Sequence, residues 1–384
     1  MRTRPLAVGE PAPWFVCRTR ANAAYAFDTV AGRYVVISFF GSSTDPASAK
    51  VLDGIRVHRH RFDDRNFCFF GVSTDPGDEQ RDTLTDSIPG IRFFWDFDKS
   101  VSSLFGALQA DGAYRAISYV LDPALRVLAA LPMSDAPDAR VNSLVDLLDR
   151  LPPVGAPYFA ILQAPVLILP HVFEPKLCQS LIAYYDAHGG QDSGFMRDVG
   201  GRTVGIVEYG HKRRRDCIVE DEVLRQACVT RIHDRLVPEV HKAFQFRATR
   251  MERYIVACYD AANRGHFRPH RDNTTRGTAH RRFAVSLFLN TGDYQGGFLG
   301  FPEFGSGLYS APVGGAAVFS CSLLHEATVV TQGRRYMFLP FLYDDAARSV
   351  RDENSLYVDT MVTTTSNDAA QQSAAVDTSQ KTHR

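Results

Sequence analysis

Residues 254–273 read YIVACYDAANRGHFRPHRDN. An apolar, β-rich run gives way to a polar turn, and HFRPHRDN then sets His270 and Asp272 two residues apart. Side chains at i and i+2 of a strand share one face, so this imidazole and this carboxylate can stand side by side. Alone, His-x-Asp is a weak signal that an ordinary charge pair also satisfies. Its surroundings add to it. From about residue 250 the chain runs as short strands, MERYIVACY, RRFAVSLFLN, GGFLGFP, GGAAVFSC and RRYMFLPFLY, punctuated by turn signals such as NTGD and QGG. Strands this closely spaced predict a sandwich or barrel.

His325, in FSCSLLHEATVV, sits at the end of another such strand, and Arg335 follows in TQGRRYMFLPFLY. An antiparallel jelly roll can bring distant strand ends to one mouth. His270, Asp272 and His325 would then occupy one face of a metal and leave adjacent positions open, the ligand set of non-haem Fe(II) oxygenases. A guanidinium at Arg335 could hold a carboxylate through two parallel hydrogen bonds.

YIVACYDAANRGHFRPHRDN, RRFAVSLFLN, YQGGFLGFPEFG and CSLLHEATVVTQGRRYMFLPFLYDD resemble the iron- and 2-oxoglutarate-dependent dioxygenases of the prolyl 4-hydroxylase type, over roughly residues 165 to 346. The resemblance implies a double-stranded β-helix (jelly roll) with flanking helices. It implies His270, Asp272 and His325 as iron ligands and Arg335 as the clamp on the far carboxylate of 2-oxoglutarate, with Arg334 as the alternative clamp. Tyr259 matches a tyrosine that lines the cosubstrate pocket. The expected activity is hydroxylation of a C–H bond, with 2-oxoglutarate and O₂ converted to succinate and CO₂ and ascorbate as reductant. The substrate would be peptidyl, with proline one option, or a small molecule. Phe288 stands where some members have a tyrosine that shares the far carboxylate, which leaves the partner of Arg335 open. Glu326 is a candidate for orienting a ligand, Asn273 and Arg281–Arg282 for touching substrate, and His266 and His280 for local roles. Pro340 inside the last strand predicts an edge or a bulge.

The first ~150 residues alternate strand and helix signals, predicting an α/β domain. YVVISFF (34–40) and NFCFFGVST (66–74) read as strands buried on both faces. PASAKVLDGIRVHRHRF (46–62), DEQRDTLTDSI and DARVNSLVDLLDRL (138–151) read as helices, and YRAISYVLDPALRVLAALP as strand, turn, strand. VGEPAPWF, YVVISFFGSSTDPAS, FFGVSTDP and RAISYVLDP resemble the peroxiredoxin branch of the thioredoxin fold. That family carries Thr-x-x-Cys at a helix start, where amide dipoles lower the thiol's pKa. GSSTDPASAK has no cysteine; Ala47 or Ser48 takes its place, and Arg115 matches the family's arginine. The resemblance therefore implies a redoxin module without its thiolate. Displaced chemistry at Cys17 or Cys68 is a weaker reading.

The expected domains are 1–155 and 160–348, with proline- and glycine-rich LPPVGAP (151–157) at the boundary and a disordered polar tail over 362–384. Helices are expected within 174–190 and, as one or two, within 220–244. The 384 residues balance 43 Lys+Arg against 43 Asp+Glu, so no global field attracts nucleic acid or an acidic membrane. HKRRRD (211–216) reads as a solvated basic run. Seven scattered cysteines without a C-x-x-C pair suggest reduced thiols rather than a disulfide framework. No signal-like stretch opens the chain, and runs such as YVVISFF are too short to cross a bilayer, so a cytoplasmic location is the expectation. A non-catalytic scaffold with an inert oxygenase-like half is the rival to an enzyme.

Overall fold

The computed structural model describes residues 4–81, 84–132, 137–157, 159, 162–359 and 362–363. The chain divides into two compact units, residues 1–158 and 159–384.

In the first unit, β1 (Tyr34–Gly41), β2 (Phe67–Ser73), β3 (Ile91–Trp95), β4 (Ile117–Leu121) and β5 (Val127–Pro132) form one sheet in the order β3-β2-β1-β4-β5. β1, β2 and β3 are parallel, and β4 and β5 join antiparallel. Alternate residues of β1 serve opposite faces. Val35, Ile37 and Phe39 pack with Phe15, Phe27, Phe94 and Phe105. Val36 and Phe40 pack with Leu52 and Ile55 of α1 (Pro46–Val57) and with Leu144 and Leu148 of α2 (Pro137–Arg150). Burial on both faces explains why these strands read as unbroken apolar runs. β3 has the same character but was not assigned from sequence. The helix expected over DEQRDTLTDSI is only Pro76–Gln80; residues 82–83 lie outside the described residues.

α1 and α2 approach closely at Gly54. A Cβ there would lie 2.5 Å from Cγ2 of Val141 and 3.1 Å from its Cβ. Both tryptophans, Trp14 and Trp95, belong to this unit, so their fluorescence reports its unfolding. Gly54→Leu should destabilise that transition by about 1–3 kcal/mol, the usual cost of overpacking, while the circular-dichroism transition of the second unit stays in place.

The second unit opens with β6 (Leu167–Leu169) and α3 (Pro175–His188), which Gly189 ends at φ 70°. β7 (Lys212–Arg213) and β8 (Arg215–Ile218) precede α4 (Glu222–Arg231). One π-helical turn, Ile232–Leu236, joins α4 to α5 (Val237–Phe244), whose Pro238 lacks the N–H that would continue the α ladder.

Further strands are β9 (Arg250–Glu252), β10 (Ile255–Asp260), β11 (His266–His270), β12 (Phe283–Phe288), β13 (Leu299–Gly300), β14 (Leu308–Tyr309), β15 (Ala316–Ser320), β16 (His325–Ala327), β17 (Arg334–Phe338) and β18 (Phe341–Tyr343), with a separate pair formed by Gln295–Gly296 and Val330–Gln332. The larger sheet runs β9-β18-β12-β17-β10-β8, with β15 also on β12 and β6 on β15; the smaller runs β7-β11-β16-β13-β14. β17 and β18 are one strand interrupted at Leu339–Pro340, and both pieces pair with β12. Tyr259, Phe267, Phe288, Leu299, Phe319 and Val330 fill a core drawn from both sheets. The helices pack Leu181, Cys228, Leu236 and Val240 with Val256, Leu287 and Phe338 of the larger sheet. The result is the expected jelly roll with flanking helices. Residues 191–219 contain three strand segments besides β7 and β8: Gln191–Asp192 and the hairpin Phe195–Val199/Arg202–Val207. Of the tail, Val362–Thr363 pair in parallel with Ile206–Val207; residues 364–384 lie outside the described residues. Among the described residues no helix is long and apolar enough to cross a membrane.

Candidate metal centre and its cavity

β11 and β16 are antiparallel neighbours in which His270 pairs directly with His325. Asp272 lies two residues beyond His270, where its backbone N–H donates to the Cys321 carbonyl at 3.0 Å. This hydrogen bond turns the carboxylate back toward the two rings. Asp272 Oδ1 is 3.6 Å from His270 Nε2, and Oδ2 is 3.3 Å from His325 Nε2. All three donor atoms lie within 4.8 Å of one another.

Both imidazoles are fixed by the same local device. His270 Nδ1 contacts the Arg268 carbonyl at 2.8 Å, and His325 Nδ1 contacts that of Leu323 at 3.0 Å. A backbone carbonyl accepts, so Nδ1 carries the proton and Nε2 presents its lone pair to the centre. Burial, reinforced by the nearby His325, pushes the His270 imidazole down to about 4. Burial would raise the Asp272 carboxyl, but the attraction of His325 and hydrogen bonds with both rings hold it well below the usual range. A neutral imidazole and an ionised carboxylate are the forms a cation requires. The ligand-orienting role expected of Glu326 falls instead to the Leu323 carbonyl. Glu303 ties the two segments together: it receives the Arg271 guanidinium at 2.7 Å and the Leu324 N–H at 2.8 Å.

Tyr259 on β10 pairs with Arg335 on β17, and Asp260 with Arg334. The strand alternation therefore sends the two arginines opposite ways. Arg334 is exposed and donates to Asp260 at 2.9 Å. Arg335 is only 1% exposed, and its Nε has no hydrogen-bond partner. Its guanidinium lies 5.0 Å from the Tyr259 ring centre and 5.4 Å from that of Phe288. Asn290 holds the backbone on both sides, accepting from the Tyr336 N–H at 2.9 Å and donating to the Arg334 carbonyl at 2.8 Å. One cavity is lined by His270, Asp272, His325, Arg335, Tyr259 and the apolar Leu299 and Phe319. His270 and Asp272 also line an adjoining cleft of about 1410 Å³.

The other candidates scatter. His266 contacts the Arg264 carbonyl at 2.8 Å, and Asn273 donates to Ser322 Oγ at 2.8 Å. Buried His280 and Arg281 bind the Glu252 carboxylate at 3.0 and 2.8 Å. Arg281 lines the cleft, and Arg282 donates to the Ala279 carbonyl at 2.9 Å. HKRRRD is not a solvated run, because Lys212 and Arg214 are buried while Arg213 and Arg215 are exposed. Its period of two was the missed signal.

In the first unit Ala47 and Ser48 open α1. Ser48 is buried and donates to the Phe40 carbonyl at 2.9 Å; Arg115 is exposed. Burial pushes Cys17 up to about 11 and Cys68 up to about 12. Neither thiol has the electropositive setting that yields a thiolate.

These features define a redoxin-like α/β unit followed by an oxygenase-type jelly roll. The chain carries an AhpC/TSA family domain, whose family model matches residues 8–130, and a domain of the 2OG-Fe(II) oxygenase superfamily, matched over residues 254–343. That superfamily implies Fe(II), 2-oxoglutarate and O₂. Similar solved structures include a prolyl hydroxylase in complex with a hypoxia inducible factor oxygen degradation domain peptide from Trichoplax adhaerens (16% identity, 49% of this chain and 87% of that one, TM-score 0.37). A Pseudomonas putida prolyl-4-hydroxylase shares 18% identity over 47% of this chain and 94% of its own, at TM-score 0.35. Peroxidoxin BcpB from Mycobacterium tuberculosis shares 17% over 39% and 99%, at TM-score 0.33. No curated protein matches the chain.

Gly297 makes room for Arg335: at φ 63°, its Cβ would lie 2.7 Å from Arg335 Cδ and 2.8 Å from Val330 Cγ2. Gly297→Ala should weaken 2-oxoglutarate binding while leaving Mn(II) affinity near wild type, which equilibrium titration of each will measure. A second expectation concerns the thiols. Peroxide loss in the presence of the protein should be the same for wild type and the Cys17→Ser/Cys68→Ser double variant; a slower double variant would restore the thiol reading.

Proposed function

We propose that this protein is an Fe(II)- and 2-oxoglutarate-dependent dioxygenase that hydroxylates a C–H bond of a peptidyl substrate. One observation carries the reading: a buried guanidinium with an unpartnered Nε shares a cavity with two imidazoles and a carboxylate. An unpaired buried cation is costly, and a dicarboxylate that chelates a metal at one end would satisfy it at the other. The rival reading, an inert scaffold, gives no reason to keep that charge bare.

His270 Nε2, Asp272 and His325 Nε2 fit a divalent cation in donor type, protonation and spacing, and leave the remaining positions open. When bound, Fe(II) with O₂ supplies the oxidative decarboxylation of 2-oxoglutarate to succinate and CO₂ and the hydroxylation of the substrate. The residues of the chain do the rest. Arg335 grips the far carboxylate, with the rings of Tyr259 and Phe288 on its flanks where a second hydrogen-bonding side chain would stand in related sites. Tyr259 OH accepts from Arg214 at 3.4 Å, so this ring is tied at the cavity wall. Leu299, Phe319 and Phe341 exclude water from the space between. The cleft at the mouth has room for a polypeptide segment, and ascorbate is the proposed reductant that restores Fe(II). The redoxin-like unit, lacking a thiolate, is proposed as a docking module.

With Fe(II) and ascorbate in air, wild type should form succinate from 2-oxoglutarate and His270→Ala should form none; equal rates would end the enzyme reading. Arg335→Ala should raise the 2-oxoglutarate KM about 10- to 100-fold, the worth of one charged hydrogen-bond set, with Fe(II) affinity changed far less.

A further inference from the structure

The cavity wall holds more positive charge than the chain neutralises. Lys212, Arg214 and Arg253 converge on one carboxylate, Asp216. Arg214 binds it through Nε and Nη2, both at 2.7 Å; Arg253 donates at 3.1 Å and Ser193 at 2.6 Å. Three of those four donors crowd Oδ2 and one meets Oδ1. Lys212 donates to Ser193 Oγ at 2.8 Å and to the Gly194 carbonyl at 2.6 Å, neither of them charged. The cluster is formally three cations around one anion, and Lys212 and Arg214 are buried.

Arg253 is the member that faces outward. Its side chain is 29% exposed, and Asp216 is its one hydrogen-bond partner among the described residues. It lines both the cavity of the triad and the open cleft, and His270 and Asp272 do the same. Burial, then the like charge of Arg214, brings the Arg253 guanidinium down to about 10 and the Lys212 ammonium well below its usual value. Arg253 thus shares its carboxylate with Arg214, and the other anion that attracts both Arg253 and Lys212 is Asp272, one of the three candidate metal ligands. Asp192 and Asp198 also line the cleft, but they are engaged by Tyr209 at 2.7 Å and Thr203 at 2.6 Å. Arg335 lines the same cavity from β17 and faces Tyr259, whose OH also meets Arg214; what distinguishes Arg253 from the proposed 2-oxoglutarate clamp is that it also lines the open cleft, as Arg335 does not.

We propose that Arg253, backed by Lys212 and Arg214, is a specificity-determining site that seats a carboxylate of the substrate, so that the polypeptide entering the cleft is acidic next to the residue that is oxidised. The inference rests on the dioxygenase reading only for the oxidation itself. A guanidinium with free N–H groups at the junction of cleft and metal centre suits a side-chain carboxylate of Asp or Glu, and the extended cleft suits a chain rather than a single small acid.

The test uses the full-length protein loaded with Mn(II) and 2-oxoglutarate without O₂, so that binding is read without turnover. Two fluorescent nonapeptide pools are compared by anisotropy, one with Asp and Glu flanking a randomised centre and one with Asn and Gln in their place. Wild type should bind the acidic pool at least about tenfold more tightly, as expected for one charged hydrogen-bond set. Arg253→Gln should lose most of that preference and Arg253→Lys should recover part of it. Equal binding of the two pools by wild type overturns the proposal. So does a raised 2-oxoglutarate Kd in Arg253→Gln with the pool preference intact, which would give the cation to the cosubstrate. Free glutarate displacing the acidic pool at equal concentration would assign the seat to small acids and also overturn it. Because the wild-type comparison needs no variant and no succinate, it fails or holds independently of the dioxygenase reading.

Discussion

The antiparallel register that sets His270 against His325 is the constraint on which the site depends. Side chains alternate across a strand, so a slip of one residue between β11 and β16 would turn one imidazole to the opposite face. The register is held from several directions at once. The Cys321 carbonyl takes the Asp272 N–H, and Glu303 bridges Arg271 and the Leu324 N–H. Asp272 takes part only through its backbone, and Arg271 and Leu324 stand beside ligands, which leaves the Nε2 and carboxylate lone pairs free. The donors are thus gathered by backbone pairing, and charge plays its part only afterward.

A second constraint comes from the opposite sheet. Arg335 sits on β17, and its outward twin Arg334 shows what an arginine there does when given a choice: it finds Asp260 and solvent. Arg335 instead points inward among aromatic rings, with Gly297 clearing space along its stem. In a medium of low dielectric such a charge is stabilised chiefly by an anion. The Lys212–Arg214–Arg253 group repeats this logic at the cleft, with one carboxylate present instead of none.

Much of this was legible in sequence because the chemistry follows chain order. His-x-Asp, the later His-Glu and the arginine beyond it are ordered signals, although Arg334 and Arg335 stay alternatives until the pairing of β17 with β10 separates them. The apolar runs of β1 and β2 gave the first unit's sheet for the same reason, since a strand covered on both faces leaves a continuous stretch. What escaped depends on tertiary partners. HKRRRD is basic in composition, and only its pairing beside β11 and the approach of Arg253 from another strand make two of its cations internal. Glu326 was expected to orient His325 because it is adjacent in sequence, yet adjacency on a strand puts a side chain on the other face. The short helix Pro76–Gln80 shows the opposite failure, a polar segment with helix formers but too little apolar surface to bury along one face.

The first unit completes the physical picture by contrast. Its fold retains the loop and helix start where a peroxiredoxin keeps its thiolate, but Ser48 turns inward to the Phe40 carbonyl and Arg115 stays in solvent. A helix N-terminus favours negative charge, and neither serine nor alanine supplies any at neutral pH. Meanwhile burial raises the thiols of Cys17 and Cys68. The unit has therefore kept the packing of its family while losing the electrostatics that made the chemistry. Buried charge remains in this unit as well, but Arg126 and Arg140 direct it at the unit's own backbone, donating to the Gly9 and Leu131 carbonyls, both at 2.8 Å.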